Sequence, residues 1–138
     1  MNVSEVMSSD VAIVNVSTTV ADAAQEMESS KTGCLAVTDG ESVVGIITER
    51  DMVLGCLIDG HVSWKCHVYR HMTILEEAAH PSMDVGDALY RMMELEVSCL
   101  PVAENGRVLG MLYSEDVSRA IEEDNEPQPA LVESSLVG

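Results

Sequence analysis

One segment repeats in this 138-residue chain at a constant offset of 65 residues, and this repeat limits the possible folds more than any other feature. Residues 7–51 laid over residues 72–116 without a gap give 12 identities in 45 positions. A fixed-period repeat indicates one supersecondary unit used more than once. A unit of this size buries little apolar surface by itself, so we expect the two copies to pack on each other.

Both copies show the same order of predicted elements, β-α-β-β-α. In the first copy, the apolar run at residues 11–16 predicts a strand. The i, i+3, i+4, i+7 spacing from Val20 to Met27 predicts an amphipathic helix that begins at Thr18 or Thr19. Residues 34–38 and 42–48 predict a β-hairpin, and a second helix follows over residues 49–58. The corresponding elements of the second copy fall at residues 85–96, 99–103, 108–113 and 115–123.

The predicted fold class is therefore α+β, with two β-α-β-β-α repeats related by pseudo-two-fold symmetry. The predicted boundaries are repeat 1 at 1–60, a linker at 61–70, repeat 2 at 71–122 and an acidic tail at 123–138. The tail is expected to be mobile or to form an arm against a partner subunit.

The net charge of −17, with 24 Asp and Glu against seven Lys and Arg, excludes a broad basic surface. Such a chain repels polyanions and anionic lipids, so neither a nucleic acid nor a membrane is expected as its partner. No apolar run is long enough to span a bilayer, and residues 1–10 lack the basic and apolar regions of a signal peptide. These features predict a cytoplasmic location.

The four cysteines form no CxxC pair and are too few for a disulfide scaffold, so reduced thiols are expected. Cys34 and Cys99 occupy equivalent places in the two copies. Both are expected to act as small buried apolar residues rather than as redox sensors.

The segment from Gly45 to Asp51 passes from a predicted strand into a predicted helix. Free backbone N–H groups and the positive end of the helix dipole meet at such a turn, which suits an anion. Thr48 and Arg50 can donate hydrogen bonds to a phosphate, and the Asp51 carboxylate can accept from a vicinal diol such as the ribose hydroxyls. Gly45 allows another group to approach the strand closely. The simpler interpretation is a helix start, with Thr48 as N-cap and Asp51 as a first-turn acid.

These turns resemble a known family. The element order and the ending Gly-h-h-Ser/Thr-x-x-Asp, where h is apolar, are similar to those of the CBS domain, named after cystathionine beta-synthase. Gly45, Thr48 and Asp51 match this ending in full. The starts of the two copies, at residues 6–8 and 71–73, also resemble the family. Residues 1–122 thus look like a stand-alone tandem pair of CBS domains.

The resemblance implies a disc-like regulatory module with two clefts between the repeats. Such clefts bind adenosine-containing ligands such as AMP, ADP, ATP or S-adenosylmethionine, and the module signals the bound ligand to a partner protein. Such modules often form homodimers. By resemblance, Asp51 holds the ribose, Thr48 contacts ribose or phosphate, and the strand at residues 12–14 faces the adenine. The expected ligand-binding residues are Ala12, Ile13, Val14, Gly45, Ile47, Thr48, Arg50, Asp51 and Asp116. No cofactor is required and no catalytic residue is expected.

The second copy departs from this motif. Residues 110–116 keep the Gly and the Asp, but Tyr113 replaces Ser/Thr and Glu115 stands where the first copy has Arg50. A bulky phenol and an added negative charge disfavour a phosphate. The site with Asp51 is therefore expected to be competent, and the site with Asp116 to be weak, empty or altered in ligand choice.

A second cluster of reactive side chains leaves two alternatives open. All four His and two of the four Cys lie between residues 56 and 80: Cys56, His61, Cys66, His67, His71 and His80. Cys66, His67 and His71 could supply three ligands of a zinc site, although the spacing matches no closed zinc motif and a linker is the simpler interpretation. In the second alternative no metal binds, and Arg70, His67 and His71 gather positive charge near a cleft edge, where they could meet a phosphate.

The alternatives to a ligand sensor are therefore a metal- or redox-responsive protein that uses this cluster, and a dimerisation module with vestigial sites. No nucleophile elbow, Walker loop or zincin helix indicates an enzyme.

Overall fold

The computed structural model describes residues 1–60 and 64–125, and its fold is α+β as predicted. In chain order, the elements are α1 (Val3–Val6), β1 (Ile13–Asn15), α2 (Val20–Ser30), β2 (Cys34–Asp39), β3 (Ser42–Thr48), α3 (Glu49–Asp59), a 3-10 turn (Val68–Arg70), β4 (Thr73–Ile74), α4 (Val85–Leu95), β5 (Cys99–Glu104), β6 (Arg107–Tyr113) and α5 (Ser114–Asn125). The predicted hairpins and the helix after each hairpin are confirmed. The first strand is shorter than predicted.

Each repeat builds a sheet that the lead-in segment of the other repeat extends. The first sheet has the order β1-β2-β3-β4, with β1 parallel to β2 and the other pairs antiparallel. β4 leads into the second repeat, yet it pairs with β3 of the first, placing Thr73 opposite Ile46. The equivalent bridge joins Ser8, in the opening segment of the first repeat, to Met111 on β6. The two repeats are therefore interlocked by backbone hydrogen bonds.

Two glycines make this exchange of segments possible. A Cβ atom at Gly45 would collide with the backbone carbonyl oxygen of Thr73, and one at Gly110 would collide with that of Ser8. The close approach predicted at Gly45 is thus confirmed, and the approaching group is the backbone of β4. Because Gly45 and Gly110 are equivalent, the repeat conserves the packing of the crossing segments on both sides of the module.

The core is aliphatic, as expected for a chain without phenylalanine. The larger apolar cluster joins the two repeats and includes Ile46 and Ala36 from the first with Leu100, Met111 and Leu112 from the second. A smaller cluster lies within the first repeat and its lead-out, with members such as Leu35, Ile47 and Val68. Burying each large aliphatic side chain contributes roughly 1.5–3 kcal/mol, so the cluster shared by both repeats holds them together.

Cys34 and Cys99 form a disulfide that joins β2 to β5, with Cα atoms 7.2 Å apart. The expectation of reduced thiols is wrong for this pair. Pseudo-two-fold symmetry brings equivalent positions near its axis face to face, and the first residues of β2 and β5 are such positions. The expected burial is confirmed, since the two residues are 5% and 0% exposed.

Part of the predicted linker and most of the predicted tail lie outside the described residues. This applies to residues 61–63, which include His61, and to residues 126–138, whereas Glu123 to Asn125 belong to α5. Among the residues that the structure describes, no helix combines the length and apolarity needed to cross a membrane.

Candidate functional site: two clefts between the repeats

Thr48 ends β3 and caps α3 through a reciprocal pair of hydrogen bonds. Its hydroxyl accepts from the Asp51 N–H at 3.1 Å, and the Asp51 Oδ2 accepts from the Thr48 N–H at 3.0 Å. This capping box satisfies two backbone donors at the helix start. The interpretation of the turn as a helix start is thus confirmed. The Thr73 hydroxyl also donates to Asp51 Oδ2, at 3.4 Å. Within the described residues, Oδ1 of Asp51 accepts no hydrogen bond.

These groups open onto a cleft of about 720 Å³ between the repeats, here called the Thr48 cleft. Its walls come from the start of α3, from residues 70–73 and from the loop at residues 95–98, which joins α4 to β5 in the second repeat. The volume falls in the range of small-molecule sites. A ligand seated here would touch both repeats at once.

Positive charge is concentrated in the Thr48 cleft. Arg50 and Arg70 both line it, and the whole chain has only five arginines. Within the described residues, neither arginine forms an ion pair. His71 lies beside them, while Asp51 and Glu96 supply two carboxylates. Of the three residues predicted to gather near a cleft edge, Arg70 and His71 line the cleft and His67 does not. The cleft therefore offers guanidinium groups to an anion in a chain that is otherwise strongly acidic.

The equivalent cleft on the other side of the module, here called the Tyr113 cleft, has a volume of about 750 Å³. The Tyr113 hydroxyl shares a hydrogen bond with the Thr32 hydroxyl at 3.1 Å. Lys31 is the cation that lines this cleft, together with the carboxylates of Asp10 and Glu26. The phenol ring therefore stands where the Thr48 cleft has a small hydroxyl side chain.

The Tyr113 cleft lacks cationic equivalents of the two arginines that line the Thr48 cleft. Arg50 corresponds to Glu115, and Arg70 corresponds to Glu5. Neither glutamate lines the Tyr113 cleft, whose lining carries two carboxylates and one lysine. Two arginines thus line the Thr48 cleft and one lysine lines the Tyr113 cleft.

The structure distributes the nine predicted ligand-binding residues over several places. Thr48, Arg50 and Asp51 come together in the Thr48 cleft. Ala12 and Ile13, expected beside them at the adenine, line the Tyr113 cleft instead. They do so because β1 lies at the far edge of the sheet, separated from β3 by β2.

Four of the predicted residues line neither cleft. The side chains of Val14 and Ile47 are buried in the core, with exposures of 8% and 0%. Gly45 lies beneath the backbone of β4. The Asp116 carboxylate points to Arg119 on the next turn of α5, at 3.5 Å.

Each cleft is also lined by side chains outside the strand-to-helix turn, which were not among the predicted residues. Thr73 and the loop at residues 95–98 complete the Thr48 cleft, and Ser8 and the loop at residues 30–33 complete the Tyr113 cleft. Their equivalence under the 65-residue offset was visible in the sequence. Their placement was not, because it depends on the exchange of lead-in segments between the repeats.

The Cys/His cluster is only partly assembled. Cys66 Sγ lies 2.9 Å from His71 Nε2, and Cys56 packs against the same apolar cluster as Cys66. His67 instead stacks on Tyr69 with ring centroids 5.6 Å apart. His80 Nδ1 accepts from the N–H of Ser82. In the described ranges, no group of three or more His, Cys, Asp and Glu side chains is arranged to hold a metal ion.

Comparison with known proteins agrees with this geometry. The family model of the CBS domain matches residues 3–55 and again residues 69–123. The meiotically up-regulated gene 70 protein of Schizosaccharomyces pombe is 36% identical over 117 residues, which are 84% of this chain but 16% of that protein. A 17.7 kDa protein from the bps2 3′ region of Acidianus ambivalens is 34% identical over 124 residues, covering 86% of this chain and 72% of that protein.

Solved structures show the same fold. The CBS-domain containing protein ATU1752 from Agrobacterium tumefaciens is 28% identical, with a TM-score of 0.76 over 88% of this chain and 99% of that one. The CBS domain pair of protein MJ0100, solved with 5′-methylthioadenosine and S-adenosyl-L-methionine, is 24% identical, with a TM-score of 0.78 over 91% of this chain and 98% of that one. The chain therefore belongs to the CBS domain family and carries two CBS domains in tandem.

Proposed function

We propose that this chain is a regulatory module whose Thr48 cleft binds an adenosine-containing ligand and reports its presence to a partner protein. One observation carries the proposal. The Asp51 carboxylate and two arginines, which pair with no carboxylate of residues 1–60 and 64–125, converge on one cleft that spans both repeats. AMP, ADP, ATP and S-adenosylmethionine are the candidate ligands, and the role is binding rather than catalysis.

Each part of such a ligand finds a matching group in the cleft. The ribose diol can donate to the Oδ1 atom of Asp51, whose other oxygen is engaged by the capping box. A phosphate can meet the start of α3 and the guanidinium groups of Arg50 and Arg70. The apolar side chains of Leu54 and Val97 offer a non-polar wall to the base. The MJ0100 pair, which binds adenosine derivatives, supports this ligand class.

The regulatory effect would follow from the position of the cleft between the repeats. A ligand that contacts both α3 and the loop at residues 95–98 stabilises the arrangement of the repeats that it fits best. Any partner protein that prefers this arrangement then binds more tightly by the same coupling free energy.

Self-association is part of the proposal. α3 and α4 expose large apolar side chains, among them Val53, Ile58, Tyr90 and Met93, which are 53–74% exposed. The equivalent positions of α5 and α2 are Ser118, Glu123, Gln25 and Glu28. Exposed apolar groups on one pair of helices mark an interaction surface. We assign this surface to the contact between two copies in a homodimer. The contact lies beside the Thr48 cleft, because Leu54 of α3 and Leu95 of α4 line that cleft.

A thermal-shift screen of the wild-type chain tests the proposal, because a ligand that binds only the folded state raises the melting temperature. AMP, ATP or S-adenosylmethionine should raise it, and Asp51→Ala should abolish the rise. A shift with zinc alone would favour the alternative based on Cys66 and His71. The absence of any shift would favour a dimerisation module with vestigial sites.

A further inference from the structure

The disulfide between Cys34 and Cys99 lies between the two clefts. We propose that it is a redox-controlled clamp: the disulfide form holds the Thr48 cleft in its binding arrangement, and reduction to two thiols weakens ligand binding there. The proposal rests on the proposed function of the Thr48 cleft and adds to it a second input, the thiol–disulfide balance of the surroundings.

The register of the strands places each cysteine beside both clefts. Cys34 lies opposite Thr48 in the β2–β3 pair, and its chain neighbour Gly33 lines the Tyr113 cleft. Cys99 lies opposite Tyr113 in the β5–β6 pair, and its chain neighbour Ser98 lines the Thr48 cleft. A change in the distance between the two cysteines therefore moves one wall residue of each cleft.

Backbone hydrogen bonds connect the residues beside the two cysteines to the starts of α3 and α5, so a movement of either cysteine reaches these helices. The carbonyl of Gly33 accepts from the N–H of Glu49, the first residue of α3, at 3.0 Å. The carbonyl of Ser98 accepts from the N–H of Ser114, the first residue of α5, at 2.9 Å. β2 is thus tied to the start of α3, where Thr48 and Asp51 lie. The disulfide ties β2 in turn to the other repeat.

The chemistry is an exchange with an external dithiol. A thiolate of the dithiol attacks one cysteine sulfur, the Cys34–Cys99 bond breaks, and a mixed disulfide forms with the attacked cysteine. The second thiol of the reductant then displaces that cysteine. The protein gains two electrons and two protons, and the reductant leaves as its own disulfide. Both cysteines are buried, so attack requires the repeats to separate locally.

This burial links reduction to ligand binding. A ligand that bridges the repeats opposes the opening through which a dithiol reaches the sulfurs. If the disulfide form binds the ligand more tightly by a given factor, the ligand must stabilise the disulfide against reduction by the same factor. A disulfide with a purely structural role would lower stability on reduction without changing the affinity of the cleft for a ligand.

The test measures binding of AMP and S-adenosylmethionine by calorimetry to the wild-type chain, oxidised or reduced with dithiothreitol. Peptide mapping after alkylation reports the state of Cys34 and Cys99. We expect affinity to fall at least about fivefold on reduction, the lower end of typical coupling between sites. Saturating ligand should raise the ratio of reduced to oxidised dithiothreitol at half-reduction by the same factor. Equal affinities in both states, or failure of the disulfide to form under oxidising conditions, would overturn the proposal.

Two controls separate the clamp from other effects. The variant Cys34→Ala/Cys99→Ala should bind like the reduced wild type in either buffer, whereas Cys56→Ser should respond to dithiothreitol like the wild type. If neither ligand binds either state, the proposed function fails. Amide hydrogen exchange at the starts of α3 and α5 then tests whether the disulfide constrains these helices. Faster exchange on reduction at these two helix starts, but not at the start of α2, supports the clamp, and unchanged or uniformly faster exchange overturns it.

Discussion

Thr48 and Asp51 hold each other in place at the start of α3, since each side chain accepts the backbone N–H of the other, at 3.1 and 3.0 Å. The same two side chains are the groups proposed to contact the ligand. The structural and binding roles of this pair can be separated, because the chain contains a second threonine cap that lines neither cleft.

Thr19 provides that comparison, because its side chain accepts from the Asp22 N–H at 3.1 Å and caps α2. Thr48→Ala and Thr19→Ala should each lower the free energy of unfolding by about 1 kcal/mol, the usual cost of losing a cap. Only Thr48→Ala should weaken ligand binding, by roughly tenfold for one lost hydrogen bond. Urea unfolding and calorimetry measure the two effects. Equal binding by both variants would remove Thr48 from the site.

The glycines beneath the crossing segments should not tolerate a methyl group. Gly45→Ala and Gly110→Ala each place a Cβ against backbone that cannot move aside without breaking the strand pairing. We expect each variant to lose at least about 2 kcal/mol in urea unfolding, as overpacked sites do. Gly33→Ala is the matched control, because its Cβ would meet the side chain of Glu49 at 3.3 Å, and this exposed side chain can shift. A loss at Gly45 no larger than at Gly33 would contradict the proposed role of the crossing segments.

The Tyr113 cleft should become a binding site when its tyrosine is replaced. Tyr113→Thr removes the ring and restores the small hydroxyl side chain found at Thr48. In calorimetry with S-adenosylmethionine, whose sulfonium suits the carboxylates of this cleft, we expect the stoichiometry to rise from one to two per chain. Tyr113→Phe keeps the ring, loses only the hydrogen bond to Thr32, and should leave the stoichiometry at one. Two sites in the wild type would refute the asymmetry.

Arg70 should matter in proportion to the phosphate charge of the ligand. Arg70→Ala should weaken AMP and ATP binding by about tenfold to a hundredfold, the range for a charge-assisted hydrogen bond, and leave adenosine nearly unaffected. Arg107→Ala, at an exposed strand end outside both clefts, removes the same charge and should change none of these affinities. If both substitutions weaken binding equally, Arg70 acts only through the net charge of the protein and does not contact the phosphate.

Much of the fold could be predicted because the sequence signals are local. The spacing from Val20 to Met27, the Thr19 cap and the turns between the strands act within a few residues of each other. The pairing of β4 with β3 could not be predicted, since residues 73–74 read as the start of the second repeat. The Cys34–Cys99 disulfide was missed for a related reason: cysteine spacing does not show which positions lie next to a symmetry axis.

The candidate site was predictable only where it lies on one turn. Thr48, Arg50 and Asp51 are close in sequence, and they line one cleft together. Ala12 and Ile13 were grouped with them by resemblance, but the strand order places these two at the other cleft. The 65-residue offset pairs Arg70 with Glu5, but it does not show that Arg70 lines its cleft and that Glu5 does not.

The most direct test of the central claim is a calorimetric titration of the wild-type chain with AMP, compared with Asp51→Ala and Asp116→Ala. We predict one AMP per chain in the wild type, no binding by Asp51→Ala and unchanged binding by Asp116→Ala. Unimpaired binding by Asp51→Ala, or an equal loss in both variants, would contradict a single competent site in the Thr48 cleft.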